Sequence, residues 1–155
     1  MTQPSQTSPP EPPEGVREMA LLTASQHLVD VNKVAELWSL PPSAILAMVD
    51  CAQIHWAWDV SVQQGRERCV RVWFRELFAP HLVRAMSAAG VIAAVLGHPT
   101  ERRLLAQTVS RILMVSDKTV QDLVAAGELS GAVEDSGLWV TRASLAEFLS
   151  RRIIV

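Results

Sequence analysis

Apolar residues in this chain recur at a fixed spacing of 75 positions. Val34, Leu37 and Trp38 stand 75 residues before Val109, Ile112 and Leu113, Leu40 before Val115 and Pro41 before Ser116. Ala44-Ile45 corresponds in the same way to Thr119-Val120, Met48-Val49 to Leu123-Val124, and Ile54 to Leu129. The match needs no gap over 21 positions. Amphipathic helices of similar length also resemble one another, which is the plainer explanation. The reading adopted is a duplicated unit, which restricts the chain to architectures of two like parts.

The second part is the easier to read. Leu104, Leu105, Val109, Ile112 and Leu113 fall on one helical face. Thr100-Glu101 opens this helix and Met114 to Asp117 interrupts it. Ser116 is a good N-cap and Asp117 puts negative charge on the first turn of the next helix. That helix carries Val120, Leu123 and Val124. It stops at Gly127, the residue expected for a left-handed C-cap. Gly131 to Gly137, with Glu134-Asp135 between, reads as a hairpin tip. Leu138-Trp139-Val140 is a short strand, and Thr141 caps a last helix packed through Leu145, Phe148 and Leu149. The first part follows the same plan, with a hairpin from Val60 to Val72 whose tip is Gln63 to Arg68. A closing helix there holds Trp73, Phe74, Leu77 and Phe78.

Two helices joined by a tight turn, the second short and exposed, form a unit that fits a DNA major groove. The order of elements over about 50 residues resembles the excisionase-like and MerR-like winged helix-turn-helix family. The resemblance rests on Val115-Ser116, Thr119-Val120, Gly127-Glu128-Leu129, Val140 to Leu145 and Phe148-Leu149. It implies a mainly α fold with small β-hairpins: two tandem winged helix-turn-helix units joined by an apolar central helix. The expected divisions are a Pro-rich disordered tail at 1–15, a first unit at 16–80, a central helix at 81–99 and a second unit at 100–155. Residues 16–29 suit a short helix packed on the body.

The tail holds five of the nine prolines and almost no bulky apolar side chain, so it cannot offset its ordering entropy. The start of the chain has no signal-peptide pattern. The longest uncharged apolar run, Ala85 to Gly97, has 13 residues, against about 20 needed to span a bilayer. No membrane role and a cytoplasmic setting are expected, nucleoid-associated if the chain binds DNA. A helix apolar on most sides must be buried. Residues 81–99 are therefore expected both to hold the two units together and to join two copies as a homodimer, with Met86 and Val91 at the contact. Cys51 and Cys69 form no CxxC pair and suit reduced, mostly buried thiols.

The resemblance places DNA contacts on the second helix of the second unit. Lys118, Thr119 and Gln121 lie there, with Ser116 at its start, Arg111 before it and Arg142 at the start of the last helix. Lys and Arg suit phosphates, while Thr and Gln suit base edges. Asp117 and Asp122 share that helix, and the hairpin tip is acidic, which opposes binding. The first unit has the reverse balance, a basic hairpin with Arg66, Arg68 and Arg71 beside an apolar helix from Pro42 to Cys51. Ile45, Met48 and Val49 on that helix suit a partner-binding patch. Trp56 and Trp58 alternate as on one face of a strand and suit the core better than a stacking platform. A net charge of −2 excludes a generally basic DNA-coating protein. Double-stranded DNA binding, with the basic hairpin gripping the backbone, is the first expectation. A protein–protein adaptor on the same scaffold is the second. No GxSxG, HExxH, P-loop or GxGxxG occurs, and the four histidines are scattered. No enzyme, cofactor or metal site is therefore expected.

Overall fold

The computed structural model describes residues 28–63, 67–78, 80–97 and 101–154. The Pro-rich tail, residues 16–27 and Arg66 lie outside them. The first half runs β1 (Leu28–Asp30), α1 (Val31–Trp38), α2 (Pro42–Asp50), β2 (Ala57–Asp59), β3 (Val70–Trp73) and α3 (Phe74–Phe78). Then come α4 (Pro80–Arg84) and α5 (Ala88–Leu96). The second half runs β4 (Arg103–Leu105), α6 (Ala106–Leu113), α7 (Asp117–Ala125), β5 (Gly131–Glu134), β6 (Gly137–Thr141) and α8 (Arg142–Arg151). Both halves are β-α-α-β-β-α, and each has a three-stranded antiparallel sheet with its last strand in the middle, β1-β3-β2 and β4-β6-β5. The fold is thus mixed α/β rather than mainly α with hairpins.

Several expectations are corrected. Leu28-Val29 and Leu104-Leu105, read as helical, are strand residues. Each strand has only three residues, too few to display a period of two. The apolar segment 81–99 is not one helix. The chain turns after Arg84, where the Met86 N–H donates to Val83 O at 3.1 Å. Ser87 then starts α5 afresh by accepting from the Gly90 N–H at 3.1 Å. A serine competing for backbone hydrogen bonds favours such a restart. Cys51 is exposed rather than buried, and Cys69 is half-buried.

From β1 to the end of the second helix, the halves superpose in number as well as order. Each element begins 75 residues after its counterpart. Ser39 and Met114, which end α1 and α6, are both left-handed, at φ 53° and 54°. Leu40 N–H to Ala35 O and Val115 N–H to Ser110 O are both 3.0 Å. Ala52 and Gly127 take φ 56° and 78° after the second helix. The spacing then changes. Val72 and Val140, which pair with Val29 and Leu104, are 68 apart, because the first hairpin is longer.

The first sheet is buried on both faces. Val29, Ala57, Val70 and Val72 pack with Val34, Ile45, Met48 and Val49 of α1 and α2. On the other face Leu28, Trp58 and Trp73 join a second core with Val83, Val91, Ile92 and Val95 and with the interior of the second half, including Leu113, Leu123 and Phe148. One continuous apolar core therefore unites the halves. Alternation of side chains along a strand sends successive residues to the two cores.

Polar groups seal this junction. Arg71, on the Trp58 face of β3, is buried, and its Nε donates to Leu113 O and Met114 O, each at 3.1 Å. Its Nη2 reaches Met114 O at 2.7 Å and its Nη1 lies 3.2 Å from Asp30 Oδ2. A guanidinium thus caps the C-terminal carbonyls of α6, where a cation is favoured. Buried Arg152 donates to Ser61 O at 2.9 Å, pairs with Glu128 at 3.2 Å and lies 4.9 Å over the Phe148 ring. The chain end pairs antiparallel with β2 in a single bridge at Trp58 and Ile153: Asp59 N–H donates to Arg152 O at 3.0 Å and Ile154 N–H to Ala57 O at 2.9 Å.

Glu76 on α3 is buried, and its carboxylate accepts from the backbone N–H groups of His55 and Trp56, the latter at 2.7 Å. Burial raises its pKa above 4.5, against the opposing pull of those two hydrogen bonds. A carboxyl group with a raised folded pKa binds its proton more tightly in the native state than when unfolded. Its contribution to stability is therefore greatest below 4.5 and declines as pH rises from there through the folded pKa. Denaturant titrations across this window should show Glu76→Gln gaining on the native chain as pH rises. A stability difference independent of pH would contradict an ionisation penalty at Glu76.

Candidate nucleic-acid interface

α7 begins where Ser116, left outside the helix, accepts from the Thr119 N–H at 3.1 Å and touches the Thr119 hydroxyl at 2.9 Å. The apolar side of α7, Val120 and Leu123, is fully buried. Asp117, Lys118, Gln121 and Ala125 are left on the outer side. Lys118 has 79% of its side chain exposed and pairs with Asp122 one turn on, at 3.2 Å. Exposed i,i+4 pairs of this kind are weak, so the ammonium is readily surrendered to a stronger anion.

The hairpin of the first half lies beside this helix. A groove of about 640 Å³ is walled by Val60, Ser61 and Val62 on one side and by Arg111, Ser116 and Thr119 on the other. Arg71 and Cys69 also line it. A neighbouring depression of about 650 Å³ brings Ser61, Val62, Gln63 and Glu67 against Asp122. The longer first hairpin and the second helix of the second half thus form one surface. Exposed Arg111 sits on the groove wall, and exposed Lys118 and Gln121 on the open flank of α7.

The remaining residues proposed from sequence are placed differently. Arg68 is exposed and donates to Asp50 Oδ1 at 3.1 Å. Arg142 is half-buried and donates to Gly97 O at 2.6 Å, tying α8 to the segment after α5. Arg71 is not a surface cation, because its donors are spent on α6 carbonyls and Asp30. The partner patch is likewise corrected: Ile45, Met48, Val49 and Val91 are at most 9% exposed and Met86 packs on the core. A helix apolar on most sides has turned its large residues inward and left Pro42, Ser43, Ala47 and Asp50 outside. Trp56 and Trp58 are core residues, stacked at 6.5 Å.

Sequence reasoning missed Arg152 and the structural duty of Arg71, since nothing local marks a cation whose acceptors lie 24 to 93 residues away. Among the described residues, no helix is long and apolar enough to cross a membrane, and no three His, Cys, Asp or Glu residues gather as metal ligands. No family model, curated protein or solved structure matches the chain.

Proposed function

We propose that this chain binds double-stranded DNA, as two winged helix-turn-helix units in tandem that share one contact face. The observation that carries the reading is the adjacency of the first-half hairpin to α7, which puts Arg111, Ser116 and Thr119 on one groove with Ser61 and Val62. The repeated β-α-α-β-β-α order, with the closing strand central in each sheet, supports the winged-helix comparison. α7 enters the major groove with Lys118 and Gln121 outermost. Arg111 and exposed Arg68 hold the flanking phosphates. Arg71 and Arg142 act within the fold and touch no phosphate. A DNA-binding role carries with it a place in the cytoplasm or nucleoid.

The adaptor reading loses the surface it was built on, because its apolar residues form the interior. The paired variant Arg111→Ala with Lys118→Ala separates function from folding. Both side chains are exposed, so the thermal midpoint should hold. Duplex affinity should fall, and the slope of log affinity against log salt should become shallower by about 2, roughly one for each lost phosphate contact. Unchanged affinity in a folded double variant would refute the assignment.

A further inference from the structure

β2 and β5 hold the same position in the two sheets, since Ala57 pairs with Val72 and Gly131 with Val140. Their outer edges differ. On β2, two of the groups facing outward are taken by the chain end, through Ile154 N–H to Ala57 O and Asp59 N–H to Arg152 O. On β5, the pairing sequence decides which residues face outward. Thr141 N–H donates to Ser130 O at 3.0 Å, and inward bonding alternates along an antiparallel ladder. Ser130, Ala132 and Glu134 therefore bond toward β6. Gly131 and Val133 turn their N–H and C=O groups away from the sheet. β5 is the sheet's edge, all four of its residues are exposed, and Val133 is 82% exposed. Among the described residues it is the one large hydrophobic side chain so exposed. Lysine, proline and bulges, three of the guards such an edge can carry, are absent from it, and its guards are its four-residue length and Glu134.

We propose that the β5 edge joins two copies of this chain, β5 against β5, antiparallel about a two-fold axis normal to the sheet. Such an axis pairs residues of the same face, so Val133 of each copy lies opposite its twin. Each Val133 offers the other one N–H and one C=O. The same register sets Glu134 across from Ala132. No like charges stand directly opposite each other, and the strand is complementary to itself through its apolar residue, Val133. The antiparallel bridge between Trp58 and Ile153 shows that the outer edge at this sheet position accepts backbone pairing. The proposal is independent of DNA binding.

A four-residue edge buries less than the ~1,200 Å² of stable specific interfaces, so dimer should appear with concentration rather than at every concentration. Sedimentation velocity of the full chain, up to ~1 mM, should show this rise. Val133→Lys opposes two cations on the axis and should weaken the dimer at least ~10-fold, while Val133→Ile retains it. Val133 touches little within its own chain, so circular dichroism and the thermal midpoint should not move in either variant. A monomer at every concentration would overturn the proposal. A Val133→Lys dimer of undiminished affinity would do so too, by placing the contact elsewhere.

Discussion

A Phe148→Ala chain is expected to unfold about 4 kcal/mol more easily than the native one, the middle of the range for removing a buried aromatic ring. Phe148 is fully buried on α8, in the core that also contains Trp58, Trp73, Val95 and Leu113. Its loss leaves a cavity among residues from both halves and from α5, whose partners are fixed by strand pairing and cannot easily close in. It also removes the ring beneath Arg152, whose guanidinium holds the chain end against β2. Because that core is shared, the whole described body should lose stability in one cooperative transition, read by denaturant titration followed at tryptophan fluorescence and far-UV circular dichroism. A second transition left at the native midpoint would mean that the halves are held together far less tightly than their packing indicates.

Arg71→Ala is the second large effect, at about 3 kcal/mol. The alanine leaves the carbonyls of Leu113 and Met114 without their buried donor and Asp30 without its cation. Asp30 is itself the N-cap of α1, accepting from the Asn32 N–H at 2.6 Å, so the damage reaches both halves. Arg71→Lys should recover only a minor part, because one ammonium cannot serve acceptors spread around a planar guanidinium. A loss below about 1 kcal/mol in the alanine variant, the ordinary worth of an exposed ion pair, would contradict the junction role. Domains are commonly stable by only 5–15 kcal/mol, so either variant removes a large share.

Local grammar was readable where it is dense. Ser116, Thr141 and Gly127 sit at the helix ends their side chains or backbone freedom suit. The 75-residue spacing reappears in element boundaries and in the left-handed Ser39 and Met114. What escaped was non-local. β1 and β4 exist only because β3 and β6 pair with them, and three residues carry no period of their own. Arg71 reads as a surface cation in a basic hairpin until the second half is folded against it. The apolar helix α2 reads as a docking surface for the same reason, since sequence shows that residues avoid water without showing what covers them. Of the proposed contact residues, Arg111, Ser116 and Thr119 come together on one groove, while Arg71 and Arg142 are drawn into the fold.

Binding of the purified full chain to labelled random-sequence duplex DNA, measured over a salt series, tests the central claim most directly. Groove contacts by α7 with flanking phosphate contacts predict measurable affinity at low salt that falls steeply and linearly on a double logarithmic plot. An absence of binding even at the lowest salt would contradict the claim outright.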